Sequence, residues 1–176
     1  MGQLALQFDP RLIGRLAARY RYDGEERIVD VIGPAAKERG WFTASEFFEL
    51  ADWKSPRPRR HVRANRPAVI EEATRIALSA EAEEIRMGVL LAIRGVQWPT
   101  ASTVLHFGHR DRYPILDVRA LESLGFTQKN AYYDFDFWWD YVTICRRLAD
   151  EHEMDMRTLD RALWQWSKER ALTAGR

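Results

Sequence analysis

Apolar residues recur at helical spacing along almost the whole chain, and no stretch alternates convincingly with a period of two. Leu12, Leu16 and Tyr20 follow Pro10, a residue suited to a first helical turn. From Glu25 to Arg39 the pattern puts Ile28, Val31, Ile32 and Ala35 on one side. Pro34 predicts a kink or interruption there and Gly40 a stop. Thr43-Ala-Ser-Glu46 reads as a capping box that opens a helix to about Trp53, with Phe47, Phe48 and Leu50 as core candidates. Pro56 and Pro58 exclude regular helix over 55–66. Pro67 restarts a helix through Val69, Ile70, Ala73, Ile76 and Ala77 to Leu78, and Ser79 reads as the cap of the next, over 80–93. A tight turn at 94–98 leads to a helix over 99–107 and a loop over 108–114. A short helix over 117–124 is closed by Gly125, and helices over 135–151 and 155–170 follow. The pattern predicts an all-α, two-lobed helical bundle of about eight or nine helices with short connections. Residues 1–176 form one domain, with a possible lobe seam at 54–66.

Composition narrows this picture. A chain of 176 residues suits one domain and buries about 70% of its unfolded surface without help from disulfides or a metal. With 46% hydrophobic and 30% charged residues it is neither disordered nor a coiled coil. The single cysteine, Cys145, excludes a disulfide framework, an iron–sulfur cluster held by four cysteines and a zinc ribbon. It suits a reducing compartment. MGQLALQFDP lacks the basic start and apolar core of a secretion signal, and no apolar run approaches the ~20 residues that span a bilayer. The expectation is a cytoplasmic protein with no membrane partner.

The formal net charge of +1 conceals an asymmetry. Lys54, Arg57, Arg59, Arg60, Arg63 and Arg66 fall in one acid-free stretch, and the rest of the chain is net acidic. Such an arm is either a solvated loop or a phosphate-binding element.

The chemistry-bearing segment is Leu90-Leu-Ala-Ile-Arg-Gly-Val-Gln-Trp-Pro-Thr-Ala-Ser-Thr-Val-Leu105. An apolar helix, a tight glycine turn and a second helix point the free amides of the second helix outward, and with its dipole they make a seat for a phosphate. A plain buried helical turn fits the same residues. Further on stands Asp111-Arg-Tyr-Pro-Ile-Leu-Asp117-Val-Arg-Ala-Leu121. Asp117 directly precedes a helix, where an aspartate is also a good N-cap.

The order of helix, Gly-Val hairpin, Thr-Ala helix, short loop, aromatic-Pro-apolar-Asp and helix resembles the helix-hairpin-helix DNA glycosylase superfamily. That superfamily includes endonuclease III and the adenine and alkylbase glycosylases. The resemblance covers roughly residues 85–125, with the hairpin near 82–107. It implies that Gly95, Val96, Gln97, Trp98 and Thr100 hold DNA backbone, with a monovalent cation possible at the hairpin and no other cofactor. Lys54, Arg57, Arg59 and Arg60 would add phosphate contacts. It also implies that Asp117 serves the reaction at the sugar carbon. Gln97 stands where the family has its second glycine, Arg94 where it usually has proline, and the aspartate comes one residue later than in the common Pro-Val-Asp form. Pro99 occupies the place of the Schiff-base lysine, so the implied activity is monofunctional base removal without lyase cleavage.

The remaining polar and aromatic candidates fit a packed fold first. Trp53, Trp98 and Arg119 are candidates for a base pocket, and Trp41 for a groove. Phe135, Phe137, Trp138, Trp139 and Tyr141 read as core, as does Cys145. His106 and His109 have a spacing compatible with metal but no completing ligands, so no metal site is expected. Glu81, Glu83 and Glu84 read as a solvated face. The alternatives to a glycosylase are a non-catalytic nucleic-acid-binding module on the same fold and, last, a helical adaptor for an acidic protein.

Overall fold

A computed structural model describes residues 4–109, 111–127 and 132–174. Every regular element among the described residues is helical, so the fold is all-α. The elements are α1 (Ile13–Arg19, after a 3-10 turn at Pro10–Leu12), α2 (Glu25–Arg27), a π-helical turn (Ile28–Ile32), α3 (Gly33–Arg39), α4 (Ala44–Lys54), α5 (Arg59–Val62), α6 (Pro67–Ser79), α7 (Glu83–Leu91), α8 (Trp98–Gly108), α9 (Val118–Ser123), α10 (Phe135–Glu151) and α11 (Met156–Ala174). The chain divides into two compact units, one of residues 22–113 and one of 1–21 with 114–176. The division therefore falls near residues 21 and 113, and the Pro/Arg segment 54–66 lies inside the central unit.

In the central unit α8 is the axis. It packs against α3, α4, α6, α7 and the π turn, and Thr100, Ala101, Ser102, Thr103, Val104, Leu105, Phe107 and Gly108 are all buried. The small residues let neighbours come close. The hydroxyls of Ser102 and Thr103 donate to the Pro99 carbonyl at 2.9 and 2.8 Å, so their burial leaves no lone donor. Gly108 has Phe42 where a Cβ would be. The segment from Glu25 to Arg39 is continuous helix, and the predicted disturbance at Pro34 takes the form of the π turn just before it. Proline removes one amide and crowds the carbonyl four residues back; the extra residue in the turn absorbs both. The turn also rephases the face, so that Ile28, Ile32 and Ala36 are buried while Val31 is half exposed. Leu12 and Ile76, expected in the core, are likewise exposed, and Phe48 is half-buried beneath the Arg63 guanidinium at 5.3 Å.

Two local expectations are corrected. Ser79 ends α6 rather than capping the next helix, its hydroxyl donating to the Arg75 carbonyl at 2.8 Å. The joint is made by buried Arg86, which donates to the Ala77 carbonyl (2.9 Å) and to that of Ala80, and pairs with Glu83 at 3.2 Å. Glu83 also accepts from the Tyr113 hydroxyl at 2.7 Å, so it is not simply part of a solvated face. The second correction lies at 55–66. Pro58 precedes one helical turn, α5, because a proline before the first turn costs no hydrogen bond.

The other unit is built from both ends of the chain around α11, which packs against α1, α9 and α10. Ile13 and Leu16 of α1 and Tyr20 just after it are buried, as are Leu159, Ala162 and Leu163 of α11 and Phe137, Trp138, Tyr141, Val142 and Cys145 of α10. The stretch before α1 runs beside the end of α9, with Ala5 N–H donating to Leu124 O at 3.0 Å and Gln7 N–H to Ser123 O at 2.9 Å. No helix among the described residues is long and apolar enough to cross a membrane.

Candidate nucleic-acid interface and carboxylate

The hairpin forms where expected. α7 ends at Leu91, Val96 N–H donates to Ile93 O at 3.0 Å, and α8 starts at Trp98 with no side-chain cap. Gly95 has φ +84°, the left-handed region where glycine avoids a steric cost. Gln97 has φ −126° and ψ 171°, extended backbone that any residue adopts, so the missing second glycine causes no strain. Gln97 is exposed, Gly95 and Trp98 are half-buried, and Val96 and Thr100 are buried in the core.

The basic arm is docked on this turn. A Cβ on Gly95 would lie 2.8 Å from His61 Cβ and 2.9 Å from Val62 N, so α5 lies directly against the turn. Asn65 bridges the two. Its Oδ1 accepts from Arg94 N–H at 3.0 Å, and its Nδ2 donates to Arg94 O at 2.9 Å and Val62 O at 2.7 Å. Asp52 of α4 also holds α5, pairing with Arg59 at 2.9 Å and with Arg63, which follows α5, at 2.7 Å. Arg57, Arg59 and Arg60 are all exposed and Lys54 is half-buried, and of the three arginines Arg59 is the one that Asp52 pairs.

Asp117 lies in the other unit. It is half-buried, its backbone extended (φ −143°, ψ 142°), and its carboxylate accepts from Arg119 N–H at 2.9 Å as the N-cap of α9. The loop before it is braced at Ile115, whose N–H donates to the buried carboxylate of Asp160 at 3.2 Å and whose carbonyl accepts from the Tyr141 hydroxyl at 2.8 Å. Arg157 of α11 in turn pairs with Asp160. Burial, then the charges of Cys145, Asp160 and Asp117, push the Tyr141 phenol well above its ordinary range, which keeps it a donor. Tyr133 is raised by burial and then by the negative charge of Asp117, so its phenol lies within the field of that carboxylate. A carboxylate on a loop held at both faces keeps its position, which suits it to stabilise a developing cation or orient a water.

The other predicted residues have local partners. Trp53 packs edge-on to Tyr22 (5.3 Å) and Phe107 (5.7 Å). Trp41 has the guanidiniums of Arg39 and Arg75 over its ring at 4.7 and 5.0 Å. Arg119 lies over Trp164 at 5.4 Å. Trp53 and Trp98 belong to the central unit and Arg119 to the other. His106 Nδ1 contacts Tyr113 O at 2.6 Å, and His109 Nε2 lies 2.5 Å from Arg86 Nη1. No group of three His, Cys, Asp or Glu side chains among the described residues is placed to hold a metal ion. Asn65, Asp52 and Asp160 carry none of the sequence expectations, and Tyr141, expected and found in the core, was not expected to brace the loop before Asp117. Asn65 reaches Arg94 across 29 residues and Asp160 reaches Ile115 across 45, and only the arginine-rich surroundings of Asn65 offered a signal.

Comparison with protein-family models, with curated proteins and with solved structures finds no match to this chain.

Proposed function

We propose that the chain is a monofunctional DNA base-excision glycosylase. The hairpin at Gly95–Thr100 and the arm beside it hold the nucleic-acid backbone, and Asp117 acts at the sugar of an extruded nucleotide. The observation that carries this reading is the pairing of a left-handed glycine hairpin with a braced, half-buried aspartate shortly beyond it in the chain. Breaking an N-glycosidic bond builds positive charge on the sugar, which a fixed carboxylate stabilises while it orients the attacking water. The target is inaccessible within a duplex, so the nucleotide must leave the stack at a cost of a few kcal/mol, offset by backbone contacts. Pro99 has no amine, so strand cleavage through a Schiff base is not expected.

The cap that Asp117 provides to α9 favours a second reading, a nucleic-acid-binding module without turnover. Asp117→Asn separates the two, because asparagine caps a helix as well as aspartate does but carries no charge. Wild type and variant are incubated with duplexes bearing alkylated, deaminated and oxidised bases, and alkali-labile abasic sites are counted. The expected result is release from at least one duplex by the wild type and a loss of 100-fold or more in the variant, with binding retained. Binding without release from any duplex leaves the second reading; absence of binding removes both.

A further inference from the structure

We propose that Asn65 welds the basic arm and the hairpin turn into one preformed cationic surface, on which Arg57, Arg60, Arg66 and Arg94 bind the phosphates of a nucleic-acid backbone. The inference goes beyond the hairpin itself. Arg94 and Arg66 join the surface, Arg59 leaves it, and Asn65 is its positioning residue. It shares with the proposed function only the premise of a nucleic-acid partner, and it holds with or without base removal.

Four observations converge. First, Asn65 makes a two-way hydrogen-bonded bridge to the main chain of Arg94, 29 residues away, while its Nδ2 also donates to Val62 O and, at 3.3 Å, to His61 O. One side chain thus ties the exit of α5 to the turn. Second, the turn and α5 are in van der Waals contact through the bare face of Gly95. Third, Asp52 takes up Arg59 and Arg63, which sorts the arm's charges into a structural pair and a remainder. Fourth, Arg57, Arg60, Arg66 and Arg94 are exposed, and no carboxylate among the described residues pairs with any of them. Arg60 Nε instead donates to His61 Nε2 at 3.2 Å.

Like charges gathered on a rigid surface repel one another, and a fold does not hold them there for its own stability. Guanidinium groups bind phosphate oxygens through paired N–H donors and keep their charge at all working pH values. Docking the arm in advance removes the ordering cost that a loose basic loop would meet on binding. The one apolar residue of α5, Val62, is buried, so the helix offers no side chain to insert into a lipid surface.

The test is fluorescence-anisotropy titration of an undamaged duplex over a range of salt. Each neutralised phosphate contributes about −0.9 to the slope of log K against log salt. Arg94→Ala and Arg66→Ala are each expected to flatten the slope by about that amount, and Arg59→Ala to leave it nearly unchanged. Asn65→Ala is expected to weaken binding about tenfold at 0.1 M salt and to make the effects of Arg60→Ala and Arg94→Ala additive where they are coupled in the wild type. A purely structural role for Asn65 would lower stability without changing that coupling. Should Asn65→Ala fail to fold, the exposed arginine variants decide alone. Wild-type binding with unaltered slopes in Arg94→Ala and Arg66→Ala overturns this inference and spares the proposed function, whereas no wild-type binding at low salt overturns both. Equal affinity for polyglutamate or for phosphatidylserine vesicles at matched charge overturns the assignment to a nucleic acid.

Discussion

Gly95 combines two constraints that a side chain violates at once. Its φ of +84° costs an L-residue about 1–2 kcal/mol, and a Cβ would intrude on the main-chain nitrogen of Val62 at 2.9 Å. Gly95→Ala is therefore expected to cost more than about 2 kcal/mol in urea unfolding; a loss below 0.5 kcal/mol would mean that the turn yields freely. Gln97, at extended φ, should accept alanine with little change in stability. The glycine of the hairpin was legible in the sequence because its neighbours on both sides are helical. The reason it must be glycine was not, since Val62 is remote along the chain. At Cys145 burial pushes the thiol up, and Tyr141 beside it is raised for the same reason. For acids raised in the folded state, stability is complete below the unfolded pKa values, ~8.5 for cysteine and ~10 for tyrosine. Above them the unfolded chain loses protons that the folded chain keeps, so stability falls as pH rises. Urea midpoints measured from pH 7.5 to 10.5 should decline, and Cys145→Ala should remove the first part of that decline, below about pH 10. Identical alkaline slopes in the two proteins would contradict the buried-thiol account.

The helical elements were largely written in local signals. The capping box at Thr43 and Glu46 is present in both directions, with Glu46 N–H donating to the threonine hydroxyl and Thr43 N–H to the glutamate. Elements failed to announce themselves where a distant side chain decides. The α6–α7 joint depends on Arg86, whose guanidinium satisfies carbonyls at the end of one helix and a carboxylate at the start of the next. Arg86→Leu fills similar space but leaves those acceptors buried and Glu83 without its cation, a change expected to cost about 3–5 kcal/mol; a loss under 1 kcal/mol would show that solvent replaces the guanidinium. The single turn α5 was obscured by its prolines, and its anchor Asp52 lies on a different helix. Asp52→Asn removes the ion pairs to Arg59 and Arg63. The expected consequences are a modest fall in stability, below about 1 kcal/mol because both arginines are half exposed, and, on the proposal that the arm binds DNA, tighter and more salt-sensitive binding as two cations are released. Unchanged salt dependence in Asp52→Asn would mean that neither arginine reaches the partner.

On the scale of the whole molecule, the periodicity revealed which segments are helices but not which of them share a core. The first and last helices belong together, a pairing between residues about 150 apart in the chain, as the ion pair of Arg19 with Glu169 shows. Several interactions bind the start of the chain to α11. Tyr20 lies edge-on to Trp164 at 5.1 Å, and Phe8 stacks on Trp166 at 5.5 Å. Arg157 reaches the Tyr20 hydroxyl at 3.5 Å. Residues 4–21 are thus one wall of the unit that carries Asp117, while the central unit has its own core about α8. Removing residues 1–21 exposes the apolar face of α11 that Ile13, Leu16 and Tyr20 cover, at roughly 25 cal/mol for each Å² of apolar surface returned to water. It also loosens α9, against which Ala5 and Gln7 pair. Hydrogen exchange on the shortened chain should show protection lost across α9, α10 and α11 and kept in α6, α7 and α8. Under the proposed function, DNA binding through the arm and hairpin should then survive, while base release, which on that reading needs Asp117 held in place by Ile115, should vanish. Uniform loss of protection across both units would mean that they unfold as one cooperative body, and binding and release would then be lost together.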